Sequence, residues 1–170
     1  MDRRLEVWSG GQTGVDRAAL DAALDRELPI GGWVPRGRLA EDGQVPARYG
    51  QLREADSPEY ATRTRLNVQD TDATLVLRMG PATGGTRETM ESARGLGRPL
   101  LEIDLEATDP AGAARTVLPW LEGLLTTRSS LRLNVAGPRA SQAPTAYARA
   151  KPVLELVFAS SLLRGGSIPT

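Results

Sequence analysis

The chain has 170 residues, a length that suits one ordinary domain, and its 40% hydrophobic content with a single Phe points to a core of Leu, Val, Ala and Ile. Lys+Arg and Asp+Glu both number 21, so the net charge is zero and neither a nucleic-acid groove nor an acidic membrane surface is indicated as partner. Cys and His are both absent, which removes thiolate nucleophiles, imidazole bases, disulfides and the usual soft metal ligands, and no metal-ligating residue is assigned.

The first residues, Met1 to Glu6, are charged and lack the long apolar core of a secretory signal. No apolar run approaches membrane-spanning length, so a cytoplasmic location is expected. Leu5 to Trp8 reads as a short strand, after which Val15, Ala18, Ala19, Ala22 and Ala23 recur at helical spacing with Asp16, Asp21 and Asp25 largely off that face. Ile30 to Val34 reads as a second strand, followed by an extended polar loop through Pro35-Arg36-Gly37-Arg38 and Glu41-Asp42-Gly43. Ser57-Pro58 supplies a hydroxyl cap and a first-turn proline for a helix running through Tyr60, Thr64 and Asn67 toward Asp70.

Ala73 to Leu77 is the clearest buried strand. A helix from about Gly85 to Leu96 is stopped by Gly97 and Pro99, and Leu100 to Ile103 forms the next strand. Asp109-Pro110 opens a helix reaching about Leu125, which Pro119 is expected to kink or interrupt. Leu131 to Val135 makes the last strand, and a helix from about Ala143 or Thr145 to Leu163 closes the chain. No repeat or linker divides it, so a single domain is expected over 1–163, with 164–170 as a frayed tail. Strands alternating with helices in this way give an α/β fold, a three-layer sandwich with a mainly parallel sheet.

Three loops rich in Gly, Thr and Asn follow apolar runs: Ser9-Gly10-Gly11-Gln12-Thr13-Gly14, Thr83-Gly84-Gly85-Thr86, and Asn134-Val135-Ala136-Gly137-Pro138-Arg139. Ligands of parallel α/β sheets bind beyond the carboxyl ends of the strands, where such loops lie. A helix opening behind a glycine loop aims N–H groups and partial positive charge at the ligand, which suits phosphate or a similar oxyanion. The glycine spacing does not fit the dinucleotide fingerprint, and the lysine of a P-loop is missing. Arg36, Arg38 and Arg139 are candidates for gripping the oxyanion through paired donors, while Thr64 and Asn67 share a helix face that can meet the cleft. Trp33 is a candidate for stacking on a ligand ring. Asp16 and Glu88 can serve acid–base chemistry or simply complement a helix dipole. A valine at Gly11 is expected to block the cleft without unfolding the protein.

These blocks, together with Gly32-Trp33-Val34-Pro35-Arg36-Gly37-Arg38, Ala40-Glu41-Asp42-Gly43 and Arg63-Thr64 with Asn67-Val68, closely resemble the putative molybdenum carrier family. That family is a circularly permuted branch of the SLOG superfamily, and the resemblance runs from Val7 to about Phe158. It implies a Rossmann-like fold and binding of the molybdenum cofactor, a pterin (molybdopterin) that bears a phosphate and holds an oxomolybdenum centre through a dithiolene. It also implies a homo-oligomer that delivers its small phosphorylated ligand to molybdoenzymes or cofactor-insertion proteins. The family's Trp-Cys-Pro block is Trp33-Val34-Pro35 here, so no role for a thiol carries over. The superfamily's LOG-type phosphoribohydrolases remove a base from a nucleoside monophosphate, and their motif resembles Gly84-Gly85-Thr86-Arg87-Glu88. Their longer glycine run and upstream Arg are not evident. The expectation is therefore a carrier with no catalytic residue. The alternatives are a nucleotide N-glycosidase using Glu88 or a nucleotide-sensing module, with a nucleotide in place of the pterin.

Overall fold

The computed structural model describes residues 4–164, so most of the expected tail at 164–170 lies outside the described residues. β1 (Leu5–Trp8) leads into α1 (Val15–Asp25), whose Val15, Ala18, Ala19, Ala22 and Ala23 are fully buried, as their spacing requires. β2 (Ile30–Gly31) is shorter than expected. The chain turns at Gly32, with φ at 135°, and Trp33 and Val34 leave the main sheet as β3 (Trp33–Val34).

The stretch that follows is not an extended loop but a packed insert. β4 (Leu39–Ala40) and β5 (Gly43–Gln44) make an antiparallel hairpin, Ala47–Tyr49 forms a 3-10 turn, and β6 (Arg53–Glu54) pairs in parallel with β3. Val45, Tyr49, Leu52 and Ala55 are buried beneath it. Their apolar groups leave water at about 25 cal/mol per Å², which holds a segment with little regular structure in place.

α2 (Tyr60–Gln69) begins later than Ser57-Pro58 suggests, because the Ser57 hydroxyl accepts the Glu59 N–H at 3.1 Å and closes a short turn instead of capping a helix. β7 (Ala73–Arg78), α3 (Gly84–Gly95), β8 (Leu100–Asp104), α4 (Pro110–Leu125) and β9 (Leu131–Ala136) follow near their expected bounds. At the start of α4 the Asp109 side chain accepts the Gly112 N–H at 2.7 Å, with Pro110 in the first turn. Pro119 lies inside α4 without ending it. α5 (Ala146–Phe158) stops short of Leu163, and Ser160 then caps a separate 3-10 turn at Ser161–Leu163.

Five parallel strands form one sheet in the order β2-β1-β9-β7-β8. α1, α4 and α5 pack together as one helical layer and α2 with α3 as the other, giving a Rossmann-like three-layer fold. The chain moves outward from β1 to β2 in one direction and from β7 to β8 in the other. Connections that part in this way open a crevice above the strand between them, here β9. Among the described residues no helix is long and apolar enough to cross a membrane.

Candidate functional site

A cleft of about 200 Å³ lies in that crevice, at the carboxyl ends of β1, β9 and β7. Gly10, Gln12 and Asp16 line it from the β1–α1 side, and Asn134 and Gly137 from the end of β9. Thr64 and Asn67 line it from α2, and Gly84, Gly85 and Thr86 from the start of α3. Arg139 and Gln142 complete the wall from the β9–α5 loop. The three glycine-containing loops therefore do meet at one cleft.

The two helix starts that face each other across it differ in what they offer. At α1, the Val15 N–H is taken by the Pro138 carbonyl at 3.3 Å, the Gln12 N–H by Asp16 at 3.2 Å and the Thr13 N–H by the Gln12 side chain at 3.1 Å. That loop is closed on itself. At α3 no side chain caps the first turn, and the helix opens on exposed Gly84 and Gly85. Uncapped N–H groups with the positive end of the helix dipole make a ready seat for an oxyanion. Thr86, only 5% exposed, has a buried hydroxyl with no hydrogen-bond partner, and it lines the same cleft. Thr89, one turn on, spends its hydroxyl on the Gly85 carbonyl at 2.9 Å.

Cationic groups stand around this seat. The buried Arg139 Nε makes no hydrogen bond and lies 3.4 Å from the Glu41 carboxylate. Arg63 is almost fully buried; its Nη1 donates to the Gly10 carbonyl at 2.7 Å and lies 3.5 Å from Asp16 Oδ2. A Cβ at Gly10 would collide with this guanidinium, so glycine is needed there for Arg63 and not only for a ligand. Burial pushes the Asp16 carboxyl above the usual carboxylate range even though Arg63 pulls it down. Glu41 is also desolvated, but hydrogen bonds from Ser141 and Thr13 hold its carboxyl below the ordinary value.

Seven residues singled out from sequence do not line the cleft. The Ser9 hydroxyl is buried and donates to the Val135 carbonyl at 2.7 Å, tying β1 to β9. Gly11 points away from the cleft: a Cβ there would sit 2.9 Å from Val45 and 3.3 Å from Val34 in the insert. The expectation that a side chain at Gly11 blocks the cleft is corrected accordingly. The Thr13 hydroxyl donates to Glu41 and accepts the Ala140 N–H at 3.0 Å. Gly14 makes room for the Pro138 carbonyl. Trp33 is not a stacking platform over the cleft; its indole N–H donates to Asp70 at 2.8 Å, and its backbone exchanges bonds of 2.7 and 3.0 Å with the Asn67 amide. Asn67 thus reaches the cleft wall with its carboxamide already engaged. Arg36 is exposed and bonded to the Asp56 carbonyl at 2.9 Å, and Arg38 donates to the Pro46, Tyr49 and Leu52 carbonyls inside the insert.

Tyr60 and Gln142 were not among the sequence candidates. Tyr60 lies four residues before Thr64 and seven before Asn67, so the helical face already pointed to it. Gln142 follows Arg139 in an irregular loop and carries no such signal. Glu88 lines the cleft and lies 3.5 Å from Arg65. Among the described residues no group of three or more carboxylates, Cys or His is placed to hold a metal ion.

Comparison with known proteins agrees with this architecture. No curated protein matches the chain. A crystal structure at 1.45 Å of a protein from Syntrophus aciditrophicus SB, named putative molybdenum carrier protein, is similar with 41% sequence identity and a TM-score of 0.84. That similarity covers 94% of this chain and 98% of the other. Residues 7–158 match the family described as the Circularly permutated YpsA SLOG family. Fold, site architecture and this match over most of the chain agree: the protein belongs to the circularly permuted YpsA branch of the SLOG family.

Proposed function

We propose that this protein binds and carries the molybdenum cofactor, with the phosphate or another oxyanion of the ligand seated at the start of α3. The observation that carries the reading is the Thr86 hydroxyl, buried beside an uncapped helix start and left without a partner. A buried hydroxyl without a hydrogen bond costs about 1–3 kcal/mol, so an oxyanion that accepts from it relieves a penalty built into the free protein. Arg139 and Arg63 supply compensating charge. The volume, about 200 Å³, is below the roughly 300–1,000 Å³ of pockets that enclose a whole drug-sized ligand. The cleft therefore fits the anionic end or one ring, with the rest of the ligand passing out over Gly84 and Gly85.

The name of the Syntrophus protein, putative molybdenum carrier protein, supports a molybdenum-bearing cargo among anionic ligands, and the SLOG family fits such a ligand site. With no Cys or His in the chain, the metal travels as part of the cargo, touched only by oxygen donors and hydrogen bonds. Delivery in the cytoplasm to a molybdoenzyme or an insertion protein, from a homo-oligomer, belongs to the same reading.

Native mass spectrometry of anaerobically prepared protein, mixed with molybdenum cofactor, metal-free pterin, AMP, GMP and molybdate, tests it. A retained pterin mass with both nucleotides intact is the expected result. Loss of the base from AMP or GMP, or a nucleotide-only adduct, would replace the carrier with a hydrolase or a sensor.

A further inference from the structure

Asp16 and Arg63 form a pair whose side chains are each 10% exposed, and both line the cleft. The pair caps no helix and does not tie the insert to the sheet. Two ions out of water each lose hydration, and the pair persists because each charge has the other. Arg63 is further committed to the Gly10 carbonyl through Nη1 and to the Tyr60 carbonyl through Nε at 3.3 Å. Asp16 accepts the Gln12 N–H, and the Ser9 hydroxyl lies beside its carboxylate.

The other charges acting on the pair come from every side. Arg17 on α1 attracts Asp16; Tyr60 on α2, its ring centroid 5.4 Å from the Arg63 guanidinium, and Glu88 on α3 attract Arg63, and Arg139 from the β9–α5 loop repels it. Arg17 and Arg139 have partners of their own in Asp42 and Glu41. Asp16 therefore depends chiefly on one guanidinium. An anion entering the cleft competes for that guanidinium and adds like charge beside the carboxylate, which favours the protonated acid.

We propose that Arg63 is the cation that grips the ligand's oxyanion, and that Asp16 takes up one proton from solvent as the anion enters. The proposal rests on the reading of the cleft as an anion site. Arg63 keeps its charge throughout, and Asp16 passes from carboxylate to carboxylic acid. The acid offers an O–H donor where the carboxylate could only accept. Burial already biases Asp16 toward this form in the free protein.

The sign follows from linkage. Binding that takes up a proton tightens as pH falls, by up to about tenfold per pH unit for one whole proton. The chain has no His and no Cys, so between about pH 5 and about pH 6.5, below the α-amino range, no group at its ordinary pKa titrates appreciably. A slope in that window therefore reports a displaced carboxyl.

Sulfate is the probe, because it stays a dianion across this range. Calorimetric titration of the intact protein, in buffers of different ionisation enthalpy, reads both affinity and protons taken up. Sulfate is expected to bind more tightly toward the acid end, with a heat that changes from buffer to buffer as proton uptake requires. Asp16→Asn is expected to bind with no pH slope, whereas Glu91→Gln, on the exposed side of α3 and paired with Arg87, keeps it. Should Asp16→Asn fail to fold, the buffer dependence of the unaltered protein decides alone. Sulfate binding with the same heat in every buffer overturns proton uptake and leaves the anion cleft standing. Absence of sulfate binding at every pH overturns both.

Discussion

Replacing Thr86 with valine keeps the shape of the side chain and removes only the hydroxyl. In the free protein that hydroxyl is buried and unpaired, so its loss removes a penalty of about 1–3 kcal/mol. Taking about 1 kcal/mol as the net effect, the melting temperature of a chain this size rises by about 2–4 °C. Binding moves the other way. A hydrogen bond to a charged group is worth about 1.5–3 kcal/mol, so affinity for a phosphate-bearing pterin falls by about 10- to 150-fold. Thr86→Ser, which keeps the hydroxyl, should recover most of that loss. Thermal unfolding and ligand titration on the same samples read both quantities. A variant that is less stable and binds unchanged would refute the reasoning, because it would show the hydroxyl serving the fold and not the ligand.

Gly11→Val places a side chain against Val45, at a φ of 70°, and is expected to cost about 2–5 kcal/mol of stability from overpacking and left-handed backbone together, while the folded fraction binds ligand normally. Lost affinity in a protein of unchanged stability would return Gly11 to the cleft. Trp33→Phe loses the indole bond to Asp70 and is expected to lower stability by about 1 kcal/mol with affinity for a pterin unchanged. A tenfold weaker complex would restore Trp33 as a stacking partner. Acid unfolding tests the clip between α1, the insert and α5: burial alone would raise the Asp21 carboxyl, but hydrogen bonds from Tyr49, Arg48 and Tyr147 hold it below its ordinary value. The unfolded chain then binds the proton more tightly, so this stability is present above the ordinary carboxylate pKa and is lost as pH falls through the depressed one. Urea midpoints should drop in acid below about pH 4, and Asp21→Asn should flatten that drop. An unchanged slope would remove Asp21 from the account.

The sheet and its flanking helices were legible because each strand is a short apolar run and α1 carries its core residues on one face. The insert was not. Val45, Tyr49, Leu52 and Ala55 are buried without a helical or strand period, so polar neighbours such as Arg38 and Glu41 dominate the local pattern. The end of α5 was misplaced because Leu162 and Leu163 continue its apolar pattern after Ser160 has already broken the helix. At the site, glycine is ambiguous. Gly10 admits a guanidinium, Gly14 a carbonyl and Gly11 a valine, and each looks in sequence like a residue that admits a ligand. The arginines mislead in the same way: Arg36 and Arg38 sit beside glycine but bind backbone carbonyls, while Arg63, on a helix face that reads as polar, is the buried one. Its spacing puts it on the face of Tyr60, Thr64 and Asn67, but its burial comes from tertiary contact with Asp16 and Gly10.

The central claim, that the start of α3 is the ligand's anionic seat, is tested most directly by a crystal structure of the protein with a phosphate-bearing pterin bound. An oxygen of the ligand within hydrogen-bond distance of the Thr86 hydroxyl and the first N–H groups of α3, with Arg63 or Arg139 alongside, is the predicted result. A ligand held elsewhere, with the Thr86 hydroxyl still unpaired, would contradict it.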